Sequence, residues 1–273
     1  MQEERLGVAR ILQQEPGRTV ALEAGGLVVR KTFHGADSDR QRLLATREFE
    51  HMLRFSTALA RVENAMCPQP LELVVGAETY VRMERVKGLP MRDELNLSRW
   101  DVDAYRRIAD ILTRALMCYV ETFAEPYWDF IFRNMFYDPV DHQVTFIDFG
   151  VPELYTPVLD EFSSVQPLEV SLGGMVASSI FESARPKYVT RQREHRQAPA
   201  LAEAVLRRCQ ETALPGVLSM DRVMSVARTA YGLASSGGGV LRESWYRFGG
   251  PLLANPTVKL DRFAKVAFSG DAR

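Results

Sequence analysis

The chain has 273 residues, of which 46% are hydrophobic and 25% charged, and its net charge is −1. That is the balance of a globular protein with a full core, long enough for one large domain or two small ones. A charge so near zero gives no bulk drive toward nucleic acid or an acidic membrane, and no nucleic-acid partner is expected.

The N-terminal MQEERLGVAR is charged and lacks the apolar centre of a signal peptide, so none is expected. Short β-branched runs follow at Val8 to Leu12, Thr19 to Leu22 and Leu27 to Lys31. They are separated by turn signals at EPGR and at Gly25-Gly26, the pattern of consecutive hairpins. Residues 38 to 60 predict a helix, with Phe49, Met52, Leu53, Ser56 and Leu59 on one face. Pro68 and Pro70 end that pattern. Leu71 to Val75 and Thr79 to Glu84 then predict another hairpin around Gly76. VKGLP, at residues 86–90, reads as a hinge, which gives an expected boundary between residues 1–86 and 87–273.

Beyond it, Trp100 to Phe123 repeats apolar residues at helical spacing (Val102, Tyr105, Ile108, Ala109, Leu112, Leu116 and Val120). Residues 158–181, 198–213 and 219–234 also predict helices. SSGGG at 235–239 predicts a loop. No apolar run approaches the roughly 20 residues that span a bilayer, so no transmembrane segment is expected. Cys67, Cys118 and Cys209 are widely spaced, which indicates neither a zinc site nor a disulfide framework and suits a reducing cytoplasm. The four histidines have no metal-ligand spacing either.

Between the first long C-terminal helix and the later ones lies YWDFIFRNMFYDPVDHQVTFIDFG, residues 127–150. Asp129 and Asn134 precede one short strand, and Asp148 follows a second. Polar groups at strand ends, with apolar residues packed behind them, form a place to hold a cation. Two carboxylates and an amide oxygen are hard ligands, suited to Mg²⁺ with phosphate.

This order resembles the protein-kinase-like superfamily, in which an Asp, four residues and an Asn precede a strand pair and Asp-Phe-Gly. Asp129, Asn134 and Asp148-Phe149-Gly150 fit that spacing. The resemblance implies a two-lobed α+β fold, β-rich in residues 1–86 and mainly helical in 87–273. It implies Mg-ATP as phosphoryl donor, Asp129 as the base that orients an acceptor hydroxyl, and Asn134 and Asp148 as metal ligands. It further implies a lysine on the third strand, matched by Lys31, and a glutamate on the following helix. Glu48 and Glu50 are both available. The likeness of TREFEHMLRF to the corresponding helix of aminoglycoside phosphotransferases favours Glu48. Backbone groups of Glu84 and Val86 would meet the adenine edge.

Asp160, twelve residues after Asp148, matches a structural aspartate of the aminoglycoside phosphotransferases, which opens a helix and braces the catalytic loop. No Ala-Pro-Glu closes a protein-kinase activation segment. Both features imply a small-molecule hydroxyl acceptor. The run N-x-F-Y-D-P before the Asp-Phe-Gly strand is also similar to UbiB-like atypical kinases, which would act with a protein or lipid-pathway partner. Two departures stand out. The glycine-rich loop is reduced to Gly17 in EPGR, and Tyr127 stands where a histidine usually braces the catalytic loop. Both leave room for a nucleotide-binding scaffold without turnover. The basic run RPKYVTRQREHR, residues 185–196, speaks against a cationic acceptor if it faces the pocket, and otherwise is a solvated loop.

Overall fold

The structure is a computed structural model that describes residues 8–15, 17–97, 100–150, 158–183, 197–213 and 218–236. The N-terminal part is a five-stranded antiparallel sheet with one long helix. β1 (Val8–Glu15), β2 (Arg18–Glu23) and β3 (Val28–Phe33) are consecutive hairpin strands. α1 (Ser38–Leu59) crosses over before β5 (Pro70–Val74) and β6 (Thr79–Glu84), giving the spatial order β1-β2-β3-β6-β5. β6 returns to pair with β3, so Lys31 lies opposite Val81 at the centre of the sheet. Central position and β-branched neighbours bury Lys31, which is only 5% exposed.

α1 starts where the Asp37 carboxylate accepts the N–H groups of Asp39 and Arg40, satisfying two of the unpaired donors at a helix start. Its buried stripe is Ala45, Glu48, Met52, Phe55 and Leu59, at alternating spacings of three and four. This corrects the expected face. Leu53 is 48% exposed, and the stripe turns to include Glu48, which a count of apolar residues passes over.

The second sheet has the order β4-β9-β8-β7 and is built around the hairpin of β8 (Met135–Asp138) and β9 (Gln143–Phe146). β4 (Ala65–Met66) adds in parallel on one side and β7 (Leu89–Pro90) antiparallel on the other. Gly88 makes the second junction possible. Its φ is +79, and a Cβ there would sit 2.1 Å from the Tyr137 carbonyl oxygen, so VKGLP can approach β8 this closely only with glycine. α2 (Met91–Leu97) follows directly.

α3 (Val102–Phe123) is capped by Asp101, whose carboxylate accepts the Ala104 N–H at 2.7 Å. It ends at Ala124, in the left-handed region at φ 54. Its buried face, from Ile108 to Tyr119, backs the β8–β9 hairpin and α1. The remaining helices are α4 (Leu159–Phe162), α5 (Pro167–Ser183), α6 (Gln197–Thr212) and α7 (Met220–Ser236). α5 is apolar almost all round and packs closely on α7, where a Cβ on Gly173 would meet Val226 at 2.5 Å. Glu169 in the first turn of α5 is fully buried. It accepts the Ser219 N–H at 2.7 Å and pairs with Arg222 at 2.9 Å, which fastens the start of α7 to α5.

The fold is therefore α+β, with a β-rich N-terminal part and a mainly helical C-terminal part. One continuous core joins the sheet, α1, α3 and the later helices. Cys67, Cys118 and Cys209 are buried free thiols. No helix among the described residues is long and apolar enough to cross a membrane. The basic run 185–196, the C-terminal residues and part of SSGGG lie outside the described residues.

Candidate active site

The chain folds so that three distant carboxylates and two cations converge between the sheet and the β8–β9 hairpin. Lys31 projects from β3, and Glu48 from the buried stripe of α1 meets it with Nζ to Oε1 at 3.0 Å. Glu50, two residues on and so round the other side of the helix, is exposed and does not face Lys31. The same Nζ donates to Asp148 Oδ1 at 3.0 Å. The other oxygen of Glu48 accepts the backbone N–H of Phe149 at 3.2 Å. α1 is thus tied both to the sheet and to the Asp-Phe-Gly turn.

Asp148 follows β9 with φ at 64, the left-handed region that a β-substituted residue rarely occupies. Its neighbours hold it there. The Tyr127 hydroxyl donates to the carbonyl of Ile147 at 2.7 Å. The Ile147 N–H donates to the carbonyl of Asn134 at 3.0 Å, which sets the ends of the two chain segments side by side. Tyr127 itself is 1% exposed. It stacks on Tyr119 at 4.6 Å and on Phe149 at 5.2 Å, with Phe55 edge-on at 6.3 Å. Its backbone N–H donates to Ser171 Oγ at 2.9 Å, an anchor from α5. The bracing put in question by the missing histidine is thus made by a tyrosine and a serine.

The segment from Asp129 to Asn134 folds as tight turns. Ile131 N–H reaches the Asp129 carbonyl at 2.8 Å, and a 3-10 turn spans Phe132–Asn134. Phe130, Ile131 and Phe132 are buried and fix the loop from below. Asn134 donates through Nδ2 to the Asp129 carbonyl at 3.3 Å, which turns its amide oxygen the other way, as an acceptor. Arg133 is 3.8 Å from the Asp129 carboxylate.

Electrostatics sets the two aspartates apart. Burial raises Asp129, the nearby Asp148 charge adds to the rise, and together they push it to about 6. Burial acts on Asp148 in the same direction, but Lys31 and Arg18 outweigh it and hold that carboxyl down at about 2. Burial disfavours the charge on Lys31, yet Asp148 and then Glu48 prevail and raise it. At neutral pH the site holds an ionised Asp148, a charged Lys31 and a carboxylate on Asp129.

Sequence reasoning missed Arg18. It opens β2 immediately after Gly17, and its NH1 donates to Asp148 Oδ2 at 2.7 Å. Asp160, expected to brace the catalytic loop, is exposed in the first turn of α4, and its carboxylate contacts none of the described loop residues. The bracing comes from Ser171 instead. At the predicted hinge, Glu84 spends its N–H on the Gln69 carbonyl at 3.0 Å, so it has only its carbonyl to offer a ligand. Val86 is half-buried, and its backbone bonds to no other described residue.

The donor set suits Mg²⁺ shared with phosphate. No group of three His, Cys, Asp or Glu side chains among the described residues is arranged to hold a metal alone. Asp148 and the amide oxygen of Asn134 supply hard oxygens. Mg²⁺ commonly takes one or two such protein ligands and completes its shell with phosphates and water.

No family model matches the chain, and no curated protein matches it. Among solved structures, it is similar to two double mutants of the Mycobacterium tuberculosis PknI kinase domain. One matches at TM-score 0.46 and 16% identity, over 84% of this chain and 96% of that one. The other matches at TM-score 0.45 and 15% identity, over 84% and 97%.

Proposed function

We propose that the protein is an ATP-dependent phosphotransferase that moves the γ-phosphoryl group of Mg-ATP to the hydroxyl of a small molecule. The observation that carries this reading is the lysine bridge, in which Lys31 lies within 3.0 Å of both Glu48 and Asp148. Burying three ionisable groups side by side is costly unless each is paired, so an arrangement spanning strand, helix and turn is weak evidence of stability and good evidence of a task. The task that fits is holding a polyphosphate. Glu48 keeps the ammonium at the cleft, where it can reach phosphate oxygens.

In this reading Asp148 and Asn134 hold Mg²⁺, which when bound neutralises charge on the phosphate oxygens. The carbonyl of Glu84 and the backbone of Val86 meet the adenine edge. Asp129 accepts a hydrogen bond from the acceptor hydroxyl and orients its oxygen in line with the γ-phosphorus. A new P–O bond forms to that oxygen as the bond to the β-phosphate oxygen breaks and ADP leaves. The hydroxyl proton passes to Asp129, whose value near 6 lets it accept late in the step and release the proton at neutral pH. Catalysis is then mostly positioning and preorganised charge.

A small acceptor is supported by the short path after Gly150, since α4 already begins at Leu159. That leaves little chain for an ordered peptide-docking segment. The experiment is ATP turnover with Mg²⁺ across a panel of hydroxyl-bearing metabolites, run beside an Asp129→Asn variant. Transfer to a free metabolite that the variant has lost supports the reading. Turnover only when a protein partner is added overturns the small acceptor. Nucleotide binding without transfer to any acceptor overturns catalysis.

A further inference from the structure

Resting on that phosphotransferase reading, we propose that Arg18 is a second phosphate ligand of this site beside Lys31, and that it occupies Asp148 until a nucleotide draws it away. The β1–β2 turn is the starting point. Glu15 pairs directly with Arg18, so two residues join the strands, and the Gly17 carbonyl accepts the His34 N–H at 2.9 Å as an extension of the β2–β3 ladder. Two residues, one of them a proline without an N–H, offer no run of backbone donors to wrap a phosphate chain. A guanidinium at the base of the turn can supply what the loop lacks: fixed positive charge and a fork of donors matched to phosphate oxygens.

The contact to Asp148 shows where that fork points. Arg18 NH1 and Lys31 Nζ each take one oxygen of the same carboxylate, at 2.7 and 3.0 Å. With a cation already on each oxygen, a metal ion meets charge repulsion at Asp148 until one of them moves aside. The two cations are not equally buried. The Lys31 side chain is 7% exposed, whereas that of Arg18 is 26% exposed and comes from a surface hairpin. An incoming polyphosphate offers the Arg18 fork several oxygens. Its departure frees Asp148 Oδ2 as the nucleotide's metal arrives. The site would therefore bind metal poorly by itself and well with nucleotide.

The test uses the full chain and two probes: Mn²⁺ alone, followed by the paramagnetic signal of the free ion, and Mg-ATP, followed by calorimetry. Arg18→Ala is expected to bind Mn²⁺ alone about tenfold or more tightly than the wild type, and Mg-ATP about tenfold more weakly, each tenfold being about 1.4 kcal/mol. Adding Asp148→Asn to that variant should abolish the gain in Mn²⁺ binding. Arg18→Gln, closer in size and neutral, should behave as Arg18→Ala does, which guards against a fault in hairpin folding. Unchanged Mn²⁺ affinity, or Mg-ATP affinity equal to the wild type, overturns the proposal and leaves the phosphotransferase reading intact. A wild type that binds no Mg-ATP overturns both.

Discussion

Tyr127 places its hydroxyl 2.7 Å from the carbonyl of Ile147, the residue before Asp148, and so fixes the approach to the strained backbone on which the site turns. Removing that hydroxyl leaves the Ile147 carbonyl without its donor. Tyr127→Phe is expected to cost about 1–2 kcal/mol of stability, read from the denaturant midpoint. Turnover should fall more than ATP affinity, because a shifted Asp148 impairs geometry before it impairs binding. Equal stability and turnover would mean that the aromatic stack alone positions the turn.

Lys31→Met removes the cation shared by Glu48 and Asp148. Two carboxylates then face each other with less compensation, and breaking a buried pair of this kind costs about 3–5 kcal/mol. A large drop in thermal midpoint is expected, together with loss of turnover. Because Glu48 presents the ammonium, Glu48→Gln should also reduce turnover, and by less than Lys31→Met does.

The two aspartates predict opposite dependences on acidity. Asp129, pushed to about 6, binds protons more readily in the folded state than its ordinary value near 3.8 allows. Stability from this group is present at low pH and is lost as pH rises between about 4 and 6. Asp148, held at about 2, contributes stability that is complete above about pH 4 and is lost as pH falls toward 2. At pH 7 Asp129→Asn should therefore stabilise the protein and Asp148→Asn destabilise it, each by roughly 2–3 kcal/mol. With Asp129 as base, turnover should fall about tenfold per unit below pH 6. A rate flat down to pH 5 would exclude it.

Glu169 predicts an effect on stability without one on the site. It is fully buried and serves Ser219 and Arg222 at the start of α7. Glu169→Ala leaves the half-buried Ser219 N–H and the Arg222 guanidinium without their acceptor, and is expected to cost about 1–2 kcal/mol with ATP affinity unchanged. Calorimetric unfolding beside nucleotide titration checks both halves.

Much of this was legible in the sequence because the order of residues encodes it. Lys31, Glu48, Asp129, Asn134 and Asp148 occur in a fixed sequence of strand, helix, loop and strand. Reading them together gave the α+β fold and the residues that the structure gathers at one cleft. Other features leave no local signal. Arg18 meets a partner 130 positions away, and one arginine after a turn has no period to betray it. β4 and β7 have two residues each, too short for alternation to register. The stripe of α1 was misplaced because a paired glutamate occupies a core position. Asp160 was given a bracing role by analogy, whereas the bond to the loop comes from Ser171, one of many small residues in an apolar helix.

The most direct test of the account is the thermal midpoint with ATP, with and without Mg²⁺, in the wild type and in Asp148→Asn. A ligand bound only by the folded state stabilises by about 2.7 kcal/mol at a hundred times its dissociation constant. The wild type is expected to show a rise with ATP that grows when Mg²⁺ is added, and Asp148→Asn to lose the Mg²⁺-dependent part. No shift in the wild type, or the same Mg²⁺-dependent shift in the variant, would contradict it.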